Sequence, residues 1–100
     1  MSSPSAQNCE EAESIVEVRH KAGLHMRPAM QFVDCANSFQ AKITVTKDQL
    51  SVDGKSIMHL TMLAATYGTK LKIYAVGKDA SQAIEALTNI LEKGSLEDIE

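Results

Sequence analysis

The chain has 100 residues and a mass of 10.9 kDa, is 44% apolar and 23% charged, and carries a formal net charge of −3. That is the size of one domain with one hydrophobic core. No stretch approaches the ~18 apolar residues of a membrane-spanning helix. The opening MSSPSAQNCEEAES lacks the basic and apolar regions of a secretory signal. Two cysteines, Cys9 and Cys35, are too few for a disulfide framework, so a reduced, cytoplasmic setting is expected. Four aromatics and no tryptophan argue against a base-stacking nucleic-acid surface.

Charge is unevenly distributed. Residues 1–13 carry three acids and no base, as do residues 94–100, whereas residues 14–93 hold all ten basic and seven acidic residues, net +3. The expected organisation is a disordered acidic tail over 1–13, one domain over 14–93 and an acidic C-terminal tail over 94–100. A surplus of three charges is too small for a duplex-binding patch but suits acidic protein partners or a phosphate.

Along the chain, Val16 and Val18 alternate with Glu17 and Arg19, the period of a half-buried strand. His20 closes that strand and reads as structural or merely exposed. Residues 20–25 form a loop around Gly23. Pro28 suits a first helical turn, and Ala29, Phe32, Val33 and Ala36 follow as one apolar stripe that ends at Asn37-Ser38. Cys35, mid-helix, reads as a small buried or half-buried hydrophobe, and Cys9 as a tail thiol without a role. Ile43 and Val45 mark a second strand, and Leu50 and Val52 a short third one ended by Asp53-Gly54.

Ser56 is placed to N-cap a short helix containing Ile57, Leu60, Leu63 and Ala64, stopped by Tyr67-Gly68. Leu71, Ile73 and Ala75 give the clearest strand. Asp79, with Gln82 in a capping box, opens a long helix striped by Ala80, Ala83, Ile84, Leu87, Ile90 and Leu91, with Gly94 as its C-cap. The order βαββαβα, with every strand alternating, predicts an α+β open-faced two-layer sandwich. Its antiparallel sheet has one face wet and the other covered by three helices.

Chemistry concentrates at Leu24-His25-Met26-Arg27-Pro28. An imidazole directly ahead of a helix start faces unpaired backbone N–H groups and the positive end of the dipole. An anion there would meet those donors and the Arg27 guanidinium. The same field disfavours imidazolium and leaves His25 a neutral nucleophile. These are the parts needed to accept and hold a phosphoryl group. No Gly-rich phosphate loop or Mg²⁺-binding carboxylate pair is present, so no nucleotide or metal cofactor is expected and the phosphoryl must come from another protein. On these residues alone, phosphoryl acceptance and a His/Arg pair that merely caps a loop stand level.

The segment Gly23-Leu24-His25-Met26-Arg27-Pro28-Ala29 resembles the active-site signature of the HPr family, the histidine-containing phosphocarriers of the bacterial phosphoenolpyruvate:sugar phosphotransferase system. Gly54-Lys55-Ser56-Ile57-Met58 resembles the family's second signature, a site of regulatory serine phosphorylation. The resemblance runs from about Ser14 to Lys93. It implies the sheet order 1-4-2-3 and a cytoplasmic relay. In that relay His25 accepts a phosphoryl group from phosphorylated enzyme I on Nδ1, Arg27 steadies it, and an enzyme IIA domain receives it. It further implies phosphorylation of Ser56 by an HPr kinase. The chain departs from the family at Met26, where a small residue is usual, at Ala22, where several members are polar, and in its tails.

Met26 and Met30, like Met58 and Met62, form an i,i+4 pair on one helix flank. They read either as core filler or as an adaptable docking surface, to which Ile57, Met58 and His59 would contribute. The expected entity is a monomeric carrier that binds protein partners, with no nucleic acid and no membrane insertion. The alternatives are a regulatory binding module working through Ser56, a nitrogen-branch phosphocarrier, and a small acylphosphatase-like hydrolase. The last would have no need of His25 before a helix.

Overall fold

A computed structural model describes residues 10–21, 23–24 and 26–92. In chain order the elements are β1 (Glu10–Glu17), α1 (Met26–Asn37), β2 (Lys42–Lys47), β3 (Leu50–Asp53), α2 (Ile57–Met62), β4 (Lys70–Gly77) and α3 (Ala80–Glu92). The four strands form one sheet in the order β1-β4-β2-β3, every neighbouring pair antiparallel. This is the expected α+β open-faced sandwich.

Register explains the layering. Val16 lies opposite Leu71, Ile73 opposite Val45, and Val45 in turn opposite Val52. These residues share the buried face. On the other face Lys72 sits between Ile15 and Thr46, in solvent. A period of two therefore separates core from water in β2 and β4, and at the C-terminal end of β1. The helices close the buried face with Ala29, Phe32 and Ala36 of α1, Leu60 of α2, and Ala83, Leu87 and Leu91 of α3. His20 is buried with them, and its Nε2 donates to the Ile90 carbonyl at 3.1 Å. Burial decides for the structural reading over the exposed one.

Four local expectations change. First, β1 begins at Glu10, so residues 10–13 belong to the domain, not to a tail. Glu10 to Glu13 pair in register with Gly77 to Tyr74. Their strand is held by backbone bonds, while the carboxylates of Glu10, Glu11 and Glu13 stay exposed, so no apolar alternation announces it. Residues 1–9 and 93–100, including the remaining tail assignments and the Gly94 cap, lie outside the described residues.

Second, α2 ends at Met62, before Ala64. The Leu63 amide donates to Leu60 and that of Ala64 to Thr61, a tightened last turn, and Ala64 leaves it at φ 52°. Lys47 Nζ donates to the Leu63 carbonyl at 3.0 Å and fixes this exit. Third, the Asp79 carboxylate accepts from the Gln40 and Ala41 amides, both at 2.9 Å, tying the start of α3 to the α1–β2 connection. Fourth, Leu50 is exposed, and Val52 alone carries the core side of β3.

Candidate functional site

The site is built where the β1–α1 loop, α1 and the start of α2 meet. The loop turns at Gly23, whose amide donates to the His20 carbonyl at 2.9 Å and whose φ is +85°. A Cβ on Gly23 would lie 2.7 Å from the Ala65 carbonyl oxygen, so both the conformation and the close approach require glycine. The next amide, Leu24, donates to that same oxygen at 2.8 Å, and its side chain is buried. The chain is thus pinned to the Ala64–Ala65 segment immediately before α1.

His25 lies outside the described residues, as does Ala22. The helix that follows His25 starts at Met26, and within it the first amides have no acceptor one turn back. Pro28, which has no amide to leave unpaired, is buried beside Ala29. Arg27 points the other way. It is exposed and makes no hydrogen bond or ion pair with any described residue. A guanidinium that no described residue engages, at a helix start, can meet an anion.

Ser56 has the extended conformation of an N-cap, φ −117° and ψ 118°, and its Oγ accepts from the His59 amide at 3.2 Å. The turn before it is closed by side chains. Asp53 Oδ1 accepts from the Lys55 amide at 2.9 Å, and the Asp53 amide donates to His59 Nδ1 at 3.3 Å. Because Nδ1 accepts, the neutral ring carries its proton on Nε2. Asn37 Nδ2 bridges the Val33 and Lys55 carbonyls, and Lys55 Nζ donates to the Phe39 carbonyl at 2.7 Å. These bonds hold the start of α2 against α1.

Between the two helices lies an open groove of about 270 Å³ lined by Met26, Met30, Val33, Asp34 and Ile57. Met26 and Met30 are 57% and 50% exposed, which argues against core filler. The groove brings together three of the five expected docking residues. Met58 is exposed on α2 without lining it, and His59 turns to the β3–α2 turn. Val33, expected in the core stripe, is half-buried and lines the groove, and Asp34 was not anticipated. Both stand at helical spacing from Met26 and Met30, and that flank was the available signal. Cys35 is half-buried and burial pushes its thiol pKa up, which makes it a poor nucleophile.

Residues 12–93 match the PTS-HPr family, described as the PTS HPr component phosphorylation site. The chain belongs to the HPr phosphocarrier family of the phosphotransferase system. It is 46% identical over 76 residues to the phosphocarrier protein HPr of Haemophilus influenzae, covering 76% of this chain and 89% of that one. It is 42% identical over 78 residues to the HPr-like protein Crh of Bacillus subtilis, 78% of this chain and 92% of that one. The crystal structure of a phosphocarrier HPr from Bacillus anthracis superposes with a TM-score of 0.78 at 41% identity, over 81% of this chain and 96% of that one. The match begins at residue 12, in agreement with a β1 that starts ahead of Ser14. No helix among the described residues is long and apolar enough to cross a membrane, and no described group of three His, Cys, Asp or Glu side chains could hold a metal ion.

Proposed function

We propose that the chain is a phosphoryl carrier that takes the group from phosphorylated enzyme I onto His25 and gives it to an enzyme IIA domain. The reading rests on membership of the HPr family together with an Arg27 guanidinium that no described residue engages. In the accepting step, His25 Nδ1 attacks phosphorus, a P–N bond forms, and the bond to the donor breaks. Arg27 and the first amides of α1 balance the charge on the phosphoryl oxygens. The second transfer reverses the roles, with His25 as leaving group. The groove of Met26, Met30, Val33 and Ile57 would dock both partners in turn, since thioethers repack against differing surfaces.

Ser56 is the second proposed site, a target for an HPr kinase. Its phosphate would add about two negative charges next to Ile57, at the edge of the groove, and so weaken docking without unfolding the domain. The similarity to a Crh keeps a regulatory module as the competing reading. One experiment separates them. Phosphoenolpyruvate and enzyme I should label the chain with an acid-labile, base-stable phosphate that is lost in His25→Ala. No label on the parent chain overturns the carrier and favours the regulatory module. Incubation with HPr kinase and ATP should add one phosphate at Ser56, and none would remove that site from the proposal.

A further inference from the structure

The methionines of the groove do more than fill space. Met26 and Met30 expose half or more of their surface and, with Val33 and Ile57, form an apolar lining in which Asp34 is the one polar side chain. That carboxylate is an acceptor, so the lining side chains offer no hydrogen-bond donor. We propose that Met26 and Met30 are oxidation sites through which a peroxide switches off partner docking, an inference that rests on the carrier reading above. The sulfur lone pair of each thioether attacks a peroxide oxygen. With hydrogen peroxide the S–O bond forms as the O–O bond breaks, sulfur loses two electrons, and the proton on the transferred oxygen passes to the departing hydroxide, which leaves as water.

The product is a sulfoxide whose oxygen is a strong acceptor. Covered by a partner, that oxygen would be buried in a groove whose side chains cannot donate to it, at the cost of an unmet polar group. Met58 and Met62 are more exposed, at 72% and 62%, but do not line the groove, so their oxidised heads would stay in water. Cys35 does not compete for the oxidant, because burial raises its pKa and lowers its thiolate fraction.

The test uses the full chain with Cys9→Ser and Cys35→Ser, treated with hydrogen peroxide and mapped by peptide mass. Phosphoryl acceptance from enzyme I is then measured against carrier concentration. Oxidation should raise the apparent KM about tenfold or more while kcat stays within about twofold. The pair Met26→Leu and Met30→Leu, close in volume to the original, should resist the same treatment. The pair Met58→Leu and Met62→Leu should lose KM as the parent does, and methionine sulfoxide reductase should restore the parent. Three results overturn the inference: no oxygen gained at Met26 and Met30, an unchanged KM when both carry one, or equal loss in the Met26→Leu, Met30→Leu pair. If the untreated chain accepts no phosphoryl group, the carrier reading falls and this one with it.

Discussion

The two ends of α1 are built on opposite principles. At its C-terminal end nearly every polar group is engaged. Asn37 reaches Val33 and Lys55, Ser38 Oγ donates to the Cys35 carbonyl at 2.6 Å, Lys55 holds the Phe39 carbonyl, and the Gln40 and Ala41 amides end on Asp79. At the N-terminal end the backbone is pinned from behind through Gly23 and Leu24, while Arg27, Met26 and Met30 face outward without a described partner for the guanidinium. One end fixes the direction of the helix, and the other leaves donors and soft apolar surface for something that arrives from outside. Rigidity at the first is what lets the second stay open without losing its geometry.

The strongest way to break this contrast is at Arg27. Arg27→Ala should lower the rate of phosphoryl acceptance about 10²-fold or more, the usual loss for one charge-stabilising donor. Stability should move by less than about 0.5 kcal/mol, since the side chain is exposed and no described residue engages it. Arg27→Lys should recover part of the rate, keeping the charge without the fork. Loss of stability on the same scale as loss of transfer would show that the open end is structural after all.

Gly23 tests how the open end is held. A Cβ there meets the Ala65 oxygen at 2.7 Å in a left-handed conformation. Gly23→Ala should cost about 1–3 kcal/mol in urea unfolding and slow transfer as well, because the loop must leave Ala65 to relieve the contact. Full stability in this variant would mean that the pinning contributes nothing.

The same contrast marks what was legible in the sequence. Elements with clean periodicity were readable, such as Leu71, Ile73 and Ala75 in β4, or Ala29, Phe32 and Ala36 in α1. So was the Ser56 cap, whose partner His59 is three residues away. The strand over Glu10–Glu13 was not, because its residues are selected by backbone pairing with Tyr74–Gly77 and leave their carboxylates in water. Nor was the bond from Asp79 to Gln40 and Ala41, which joins positions 38 and 39 residues apart. Local pattern suggested an N-cap there. The docking groove was half legible: the methionine flank stood out, but Val33 looked like core until α2 was placed beside it.

Asp79 probes the closed end through pH. The Gln40 amide is the largest influence on its carboxyl and lowers its pKa; burial, next in size, opposes it, and the amides of Ala41 and Asp79 itself and the charge of Lys55 add enough to hold it below the ordinary carboxylate range. A depressed folded pKa means that the unfolded chain binds the proton more readily, so the carboxylate stabilises the fold above the unfolded value, near pH 4. That contribution fades as pH falls through the lower folded value. Asp79→Asn should therefore lower Tm at neutral pH, and its deficit against the parent should shrink steadily below about pH 4. A deficit independent of pH would place the loss in packing.

The smallest expected effect lies under the open end, at Ala64. Among the described residues two that are not glycine adopt positive φ, Asp48 at 55° and Ala64 at 52°. Aspartate tolerates that region, but alanine gains nothing from it, and its Cβ crowds the following carbonyl at about 1–2 kcal/mol. Ala64 is exposed, so its methyl has little packing to lose. Glycine would relieve the strain while giving the unfolded chain about 0.4–1 kcal/mol of extra freedom. The difference favours Ala64→Gly by up to about 1.6 kcal/mol, readable as a raised urea midpoint with an unchanged slope. Because Ala65, the next residue, accepts from Leu24, a relaxed Ala64 should leave phosphoryl transfer intact only if that hydrogen bond survives. Higher stability with normal transfer would mean that the strain is incidental. Higher stability with slower transfer would mean that the open end of α1 depends on it.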